Sequence, residues 1–469
     1  MKPRPAIVAY ARRRFKGSFW RLEDPSCRIE AELKLGRHGK VTLRLESTEE
    51  AGSLYLLNRS HTAQGDLQDG TKVTLWARPQ ENLTMTGSRG SYHRWATALL
   101  DEHLGSDGET LFQSSSVSFE GVDMWTRTGP VPHDATRPEY PVGKLVDVYG
   151  TGTDVDVQIE NPAVYESFPD GPDRFRRFLG EDGRISFTTT PAAPLELHRR
   201  LWFDLRSLVT YSTQQAAFMF DHRASTSEGQ TVRIVEYRSS APPARRTHAG
   251  NLLLSPAQVD PAVLFPRWWE ALDALYPVPQ VLVGRHYVHR AQLEGHAMAA
   301  FAAAERLHVL LQLPTERFTR PFFKENVRAL REYAKQLPET PESEDFHQYL
   351  REAFQNRRSF RTRLAALASA AGEAQLAAAG IDTETWLTAV SQARNVLAHT
   401  GSHVKERSDD GAELLRLADH GTRVVLALAL RTQVAPRSLT PDQARKSLLN
   451  PRLRLEPATD TDNTRASSA

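Results

Sequence analysis

The hydrophobic period of this chain changes once, and that change constrains the fold more than any other feature. From about residue 15 to 240, apolar and polar residues alternate in short runs. Arg28–Leu35 reads RIEAELKL and Lys40–Glu46 reads KVTLRLE, with Gly36 and Gly39 in the link. Such alternation turns one strand face inward, and the glycine-containing turn predicts a hairpin. Further strand-like runs lie at Leu54–Asn58, Lys72–Ala77, Ser114–Phe119, Val146–Tyr149, Val155–Ile159, Arg184–Thr188, Ala217–Asp221 and Thr231–Tyr237. Turn dipeptides such as Asp69-Gly70, Gly171-Pro172 and Asp182-Gly183 punctuate them. Many short strands without a fixed repeat predict a sandwich-like arrangement of paired sheets rather than a propeller.

After about residue 285 the period becomes helical. Ala291–Leu311 carries Met298, Phe301, Ala302, Leu307 and Leu311 at helix spacing. Further helices are expected at Lys324–Leu337, Phe346–Phe354, Arg357–Ala370, Thr383–His399 and Ala412–Gln433. Asp382 and Thr383 offer N-caps to the fifth of these six, and Gly401 offers it a stop. Short links between such helices make antiparallel neighbours, hence a bundle. The fold class is therefore α+β. Residues 1–250 form a β-rich domain, 251–284 a connecting segment, 285–435 a helical domain and 436–469 a polar tail.

Several function classes are excluded early. The 59 basic and 57 acidic residues leave a net charge of +2, too little to coat nucleic acid by bulk charge. The one cysteine, Cys27, permits no internal disulfide and no Cys-based zinc site, and suits a reducing cytoplasm. Apolar runs such as Val424–Leu430 fall well short of the ~20 residues that a membrane span needs. Arg12, Arg13 and Arg14 are not followed by a signal-peptide core. The chain reads as soluble and cytoplasmic. Phosphate-loop, HExxH and GxSxG motifs are missing, as is a dinucleotide glycine loop.

One motif stands out: Arg394-Asn395-Val396-Leu397-Ala398-His399, in SQARNVLAHTG. Its spacing alone says little. With 49 Arg and 16 His, chance supplies a match or two for any fixed spacing, and R-x4-H occurs once. Solvent-facing charges near a helix C-terminus are the ordinary reading of such a pair. Residues five apart on an ideal helix are turned by about 140° and separated by ~7.5 Å, so Arg394 and His399 do not share a face. Asn395 and His399, four apart, do.

The surroundings of the motif carry a family resemblance. The chain resembles the ApeA-like branch of the HEPN superfamily, whose helical bundles bear an R-x(4–6)-H motif with a polar residue after the Arg, here Asn395. FKGSFW (Phe15–Trp20), LKLGRHGKVTLRLES and GDLQDGTKVTLW (Gly65–Trp76) resemble the family's N-terminal domain. Pro266-Arg267-Trp268-Trp269 and Ala304-Glu305-Arg306-Leu307 resemble its entry into the bundle. The resemblance implies a metal-independent endoribonuclease that needs no cofactor. Its site would be Arg394 on the phosphate, His399 transferring protons and Asn395 orienting either. It also implies a homodimer through the bundle and an anti-phage role against cellular RNA such as tRNA. The N-terminal domain would then sense a phage-derived trigger or restrain the nuclease.

Other features keep two readings each. Arg351, Arg357, Arg358, Arg361 and Arg363 form either a strip for the RNA backbone or a solvated helix face. Glu305 pairs with a site arginine or with a neighbouring helix. Trp268 and Trp269 stack bases or pack at the joint. His403 is a weak metal partner for His399, with no carboxylate evident nearby. A non-catalytic HEPN module that dimerises or binds nucleotide, with a ligand-binding β domain, is the competing function; the intact Arg and His favour the enzyme. A third alternative makes the β domain a carbohydrate- or protein-binding module and the bundle a mere scaffold.

Overall fold

The structure is a computed structural model that describes residues 13–36, 40–44, 61–76, 84–87, 90–119, 125, 142–160, 164–166, 177–179, 184–217, 219–236, 252–288, 292–336, 340–353, 355–400 and 409–449. The chain divides into two compact units, Met1–Leu272 with Val434–Pro436 and Asp273–Gln433 with Arg437–Ala469. The α+β class expected from the change of period is the one observed.

In the first unit the strands are β1 (Arg13–Arg21), β2 (Asp24–Leu35), β3 (Val41–Arg44), β4 (Thr62–Leu67), β5 (Lys72–Trp76), β6 (Thr84–Gly87), β7 (Gly90–Trp95), β8 (Thr97–Leu100), β9 (Leu111–Phe119), β10 (Gly143–Leu145), β11 (Asp154–Glu160), β12 (Val164–Glu166), β13 (Arg177–Leu179), β14 (Arg184–Pro194), β15 (Met219–Thr226) and β16 (Thr231–Glu236). Fourteen of them hydrogen-bond into one antiparallel sheet, in the order β10-β11-β14-β9-β15-β16-β8-β5-β4-β1-β2-β3-β7-β6. In place of the expected paired sheets there is one continuous antiparallel sheet, because each strand of the series hydrogen-bonds to the next without a break. The predicted hairpin is β2–β3, with Leu33 opposite Leu43 and Leu35 opposite Val41. Those four side chains are buried with Phe19, Val73, Leu75 and Trp95, as the alternation requires. Gly65 lies beneath the Phe19 ring, where any Cβ would collide.

Two segments of this unit depart from the expectation. Val146–Tyr149 is not a strand: Val148–Gly150 is a 3-10 turn, with Asp147 and Tyr149 at φ 46° and 59°. Between β14 and β15 runs a helix, α1 (Leu195–Thr213), which lies on β9 and β14. Leu201, Trp202, Leu205, Leu208 and Val209 are buried on it. His198 and Arg199, polar in the sequence, are buried too. His198 Nδ1 lies 2.8 Å from Ser115 Oγ and its Nε2 3.1 Å from the Phe112 carbonyl. Arg199 donates to Glu236 and to Thr97 at 2.9 and 2.8 Å. The unit closes with α2 (Pro261–Ala274), where the Trp268 indole donates to the Asp204 carbonyl at 3.1 Å. Trp268 is fully buried, so packing, not base stacking, is what it does here.

The second unit is helical: α3 (Val278–Gly284), α4 (Leu293–Leu310), α5 (Arg320–Ala334), α6 (Pro341–Ala353), α7 (Phe360–Ala371), α8 (Glu373–Ala378), α9 (Thr383–Thr400), α10 (Asp409–Val434) and α11 (Pro441–Leu448). α2 and α3 lie in the segment expected to connect the domains. α11 lies in the segment expected to be a polar tail, where Thr440 and Gln443 cap it reciprocally. The six helices predicted between residues 291 and 433 are all present, with ends shifted by a few residues. α7 packs on α4 and α9. Every residue from Val424 to Leu430 is buried, so this part of α10 is apolar all round because it lies in the core. Among the described residues no helix is long and apolar enough to cross a membrane.

Candidate functional site

The motif lies on α9, and local chemistry explains why that helix starts and sits where it does. The Asp382 carboxylate accepts from the Thr385 backbone N–H at 2.8 Å, which satisfies an orphan donor of the first turn. These hydrogen bonds from Thr385 hold the Asp382 carboxyl below its ordinary value. One turn on, Trp386 is fully buried and its indole donates to Thr422 on α10 at 3.3 Å. Gly421 is the neighbour that makes room: a Cβ there would strike the Trp386 ring. With Leu387, Val390 and Ala393 also buried, Asn395 faces away from the buried side of the helix, while Arg394, one turn beyond Val390, is half-buried.

Arg394 is held from two directions. Its guanidinium lies 4.2 Å from the centre of the Phe360 ring, a cation–π contact. Its Nη2 lies 3.6 Å from Glu305 Oε1 on α4. The same carboxylate oxygen accepts from Arg363 of α7 at 2.7 Å. Two guanidiniums therefore share one carboxylate, leaving a local excess of one positive charge. Arg394 keeps 41% of its side chain exposed, enough for an anion to reach it. Asn395 is exposed. His399 lies in the last turn of α9; its side chain, and residues Gly401 and His403, fall outside the described residues.

The four arginines expected to contact RNA have different surroundings. Arg361 donates to Glu384 and to Thr388 of α9. Arg363 is engaged with Glu305 as above. Arg358 donates to the Glu316 carbonyl at 3.0 Å. Arg357 is exposed. The structure thus joins Arg363 to Arg394 through Glu305, and gives Arg361 and Arg358 separate partners.

His308 was not singled out from the sequence. It lies one turn beyond Glu305 on α4 and is fully buried, with no hydrogen-bond partner at either ring nitrogen among the described residues. Burial, reinforced by Arg363 and Arg358, lowers its pKa. The Glu-x-x-His spacing on a helix was the signal for it. A second polar cluster surrounds Asp419, which accepts from Arg285 at 2.6 Å and Arg423 at 3.3 Å. His286 and His420 near these cations are pushed down to about 4, chiefly by burial. Among the described residues no three His, Cys, Asp or Glu side chains gather as a metal site would require.

Comparison with known families identifies the order of sheet and helical unit. Residues 14–259 match the model for ApeA N-terminal domain 1, and residues 298–433 match Apea-like HEPN. The first match alone covers more than half of the chain, and the chain belongs to the ApeA-like HEPN family. That membership supports a HEPN-type nuclease. Among curated proteins and among solved structures, none matches the chain.

Proposed function

We propose that the protein is a metal-independent endoribonuclease that cleaves cellular RNA, tRNA among its candidate targets, as an anti-phage defence effector. The observation that carries this reading is the Arg394 guanidinium, clamped by Phe360 and Glu305 yet open to an anion, on the same helix as Asn395 and His399.

The chemistry follows from the residue types. The RNA 2′-oxygen attacks the adjacent phosphorus while its proton passes to a base. The 5′-oxygen leaves with a proton, giving a 2′,3′-cyclic phosphate and a 5′-hydroxyl. Imidazole is the side chain that moves protons near neutral pH, and His399 takes that role. Arg394 stabilises charge at the phosphoryl oxygens with a fixed fork of donors. Asn395 orients phosphate or imidazole through its amide. Because Arg394 and His399 lie about 140° apart on one helix, a site built from two copies across a two-fold axis is the economical arrangement. The homodimer forms through the helical unit. The β-rich residues 1–250 sense a phage-derived trigger or restrain the nuclease.

The test uses full-length protein. Wild type, Arg394→Ala and His399→Ala are expressed with and without phage infection, and total RNA is sequenced at its cleavage ends. Wild type is expected to produce 2′,3′-cyclic phosphate ends, unaffected by EDTA, and both variants to lose them. Equal behaviour of all three would overturn the reading in favour of a non-catalytic module. A monomer fully active in light scattering and cleavage assays would overturn the composite site.

A further inference from the structure

A second set of basic side chains lies along α5 and its C-cap, Lys335, 59 residues or more before Arg394, and it differs from the first. Lys324, Arg328, Arg331 and Lys335 follow one another at four, three and four residues. On a helix that spacing sets them on one face, with steps of about 4.5–6 Å along the axis. All four are exposed. α5 itself buries only Val327 and Ala334 among its 15 residues, so its remaining faces are open. Along the basic face lies an open depression of about 390 Å³, lined by Phe323, Val327, the four cations and Glu332. Glu332 is the one carboxylate that lines it, and it pairs with Lys335 at 2.9 Å. Glu325, the other acid of α5, does not line it. Among the described residues Lys324, Arg328 and Arg331 make no ion pair.

We infer that this face of α5 is a site for the sugar-phosphate backbone of single-stranded RNA. Three features favour that occupant. Cations in a row at short, regular steps match a repeating anion better than a single one. The half-buried Phe323 ring in the lining offers a face on which a base can stack, the arrangement by which proteins hold single strands without reading sequence. The volume of the depression falls in the range of small-ligand sites. The choice of RNA over another polyanion rests on the ribonuclease reading; the site itself does not.

The test separates the two. Full-length His399→Ala protein, with and without the combined change Lys324→Gln, Arg328→Gln, Arg331→Gln and Lys335→Gln, is titrated with a labelled single-stranded RNA across a salt series. The combined variant is expected to bind at least tenfold more weakly. Its slope of log affinity against log salt should be shallower by about 0.7 for each phosphate that is no longer neutralised. Its melting temperature should not move, because all four side chains are exposed. If the combined variant fails to fold, Arg328→Gln and Arg331→Gln singly should each lower the slope by about 0.7. In the otherwise wild-type background the combined variant should raise KM and spare kcat. Unchanged affinity and slope would overturn the site while leaving cleavage intact. Absence of cleavage by wild type, with the slope still falling, would overturn the nuclease and leave the site. Loss of binding to anionic lipid vesicles or to a polyglutamate peptide, with RNA binding unchanged, would assign the face to another partner and overturn the proposal.

Discussion

The helical unit contains two sets of cations built from the same residue types, and they differ in what holds them. Around Arg394 the guanidiniums are engaged: Arg363 and Arg394 on Glu305, Arg361 on Glu384, Arg358 on a carbonyl. On α5, Lys324, Arg328 and Arg331 have no ion pair among the described residues. An engaged guanidinium has lost rotamer freedom and much of its reach, so it suits fixing one phosphate in one geometry. An unengaged cation keeps its full field and suits salt-sensitive attraction of a chain. The count of arginines does not reveal this; their partners do.

The largest effect expected from breaking the comparison is at the engaged set. Arg394→Ala and His399→Ala should each lower the cleavage rate by about 10²–10⁴-fold, measured on purified protein with a single RNA. Arg394→Lys should recover only part, since a point charge lacks the fork.

A third state of basic side chains sharpens the contrast: imidazoles kept neutral by burial. The pKa of His286 and His420 in the folded protein is about 4, below the ordinary 6.5. The unfolded chain therefore binds more protons between those values. Stability is full above pH 6.5 and is lost as pH falls toward 4. Thermal melts across that range should show the decline, and His420→Gln should lessen it, leaving the part that His286 contributes.

Gly421→Ala should come next. It overpacks Trp386, the anchor of α9, and should cost about 1–3 kcal/mol in thermal or denaturant unfolding. Cleavage should fall further than stability does if α9 must hold Arg394 in place; unaltered cleavage at unaltered stability would show that the helix has slack. The smallest effects should come from the carboxylates. Glu305→Gln removes the carboxylate that Arg363 and Arg394 share and should cost about 1 kcal/mol, with cleavage becoming more sensitive to salt. Glu384→Gln removes a mostly exposed partner and should cost under about 0.5 kcal/mol. Equal costs for the two would erase the distinction between Arg363 and Arg361.

Much of the fold was legible because its signals are local. β2–β3 was written in alternation, and α9 in its cap Asp382 and its apolar spacing. α1 was harder, although LWFDLRSLV has a helical period. His198 and Arg199 interrupt its apolar stripe, and only Ser115, Phe112, Thr97 and Glu236, all distant in sequence, make their burial tolerable. α11 was missed because a polar eight-residue helix has no apolar stripe to announce it; its capping box was the available sign.

The sequence by itself determined the switch from sheet to bundle and put Arg394, Asn395 and His399 on one helix, because period and spacing are properties of neighbouring residues. It did not determine which arginines are engaged. Arg363 meets Glu305 across 58 residues, and Arg361 meets Glu384 across 23. Only the packing of α4, α7 and α9 brings those charges within reach, and Coulomb attraction at close range then decides which cations are held and which stay open to a ligand.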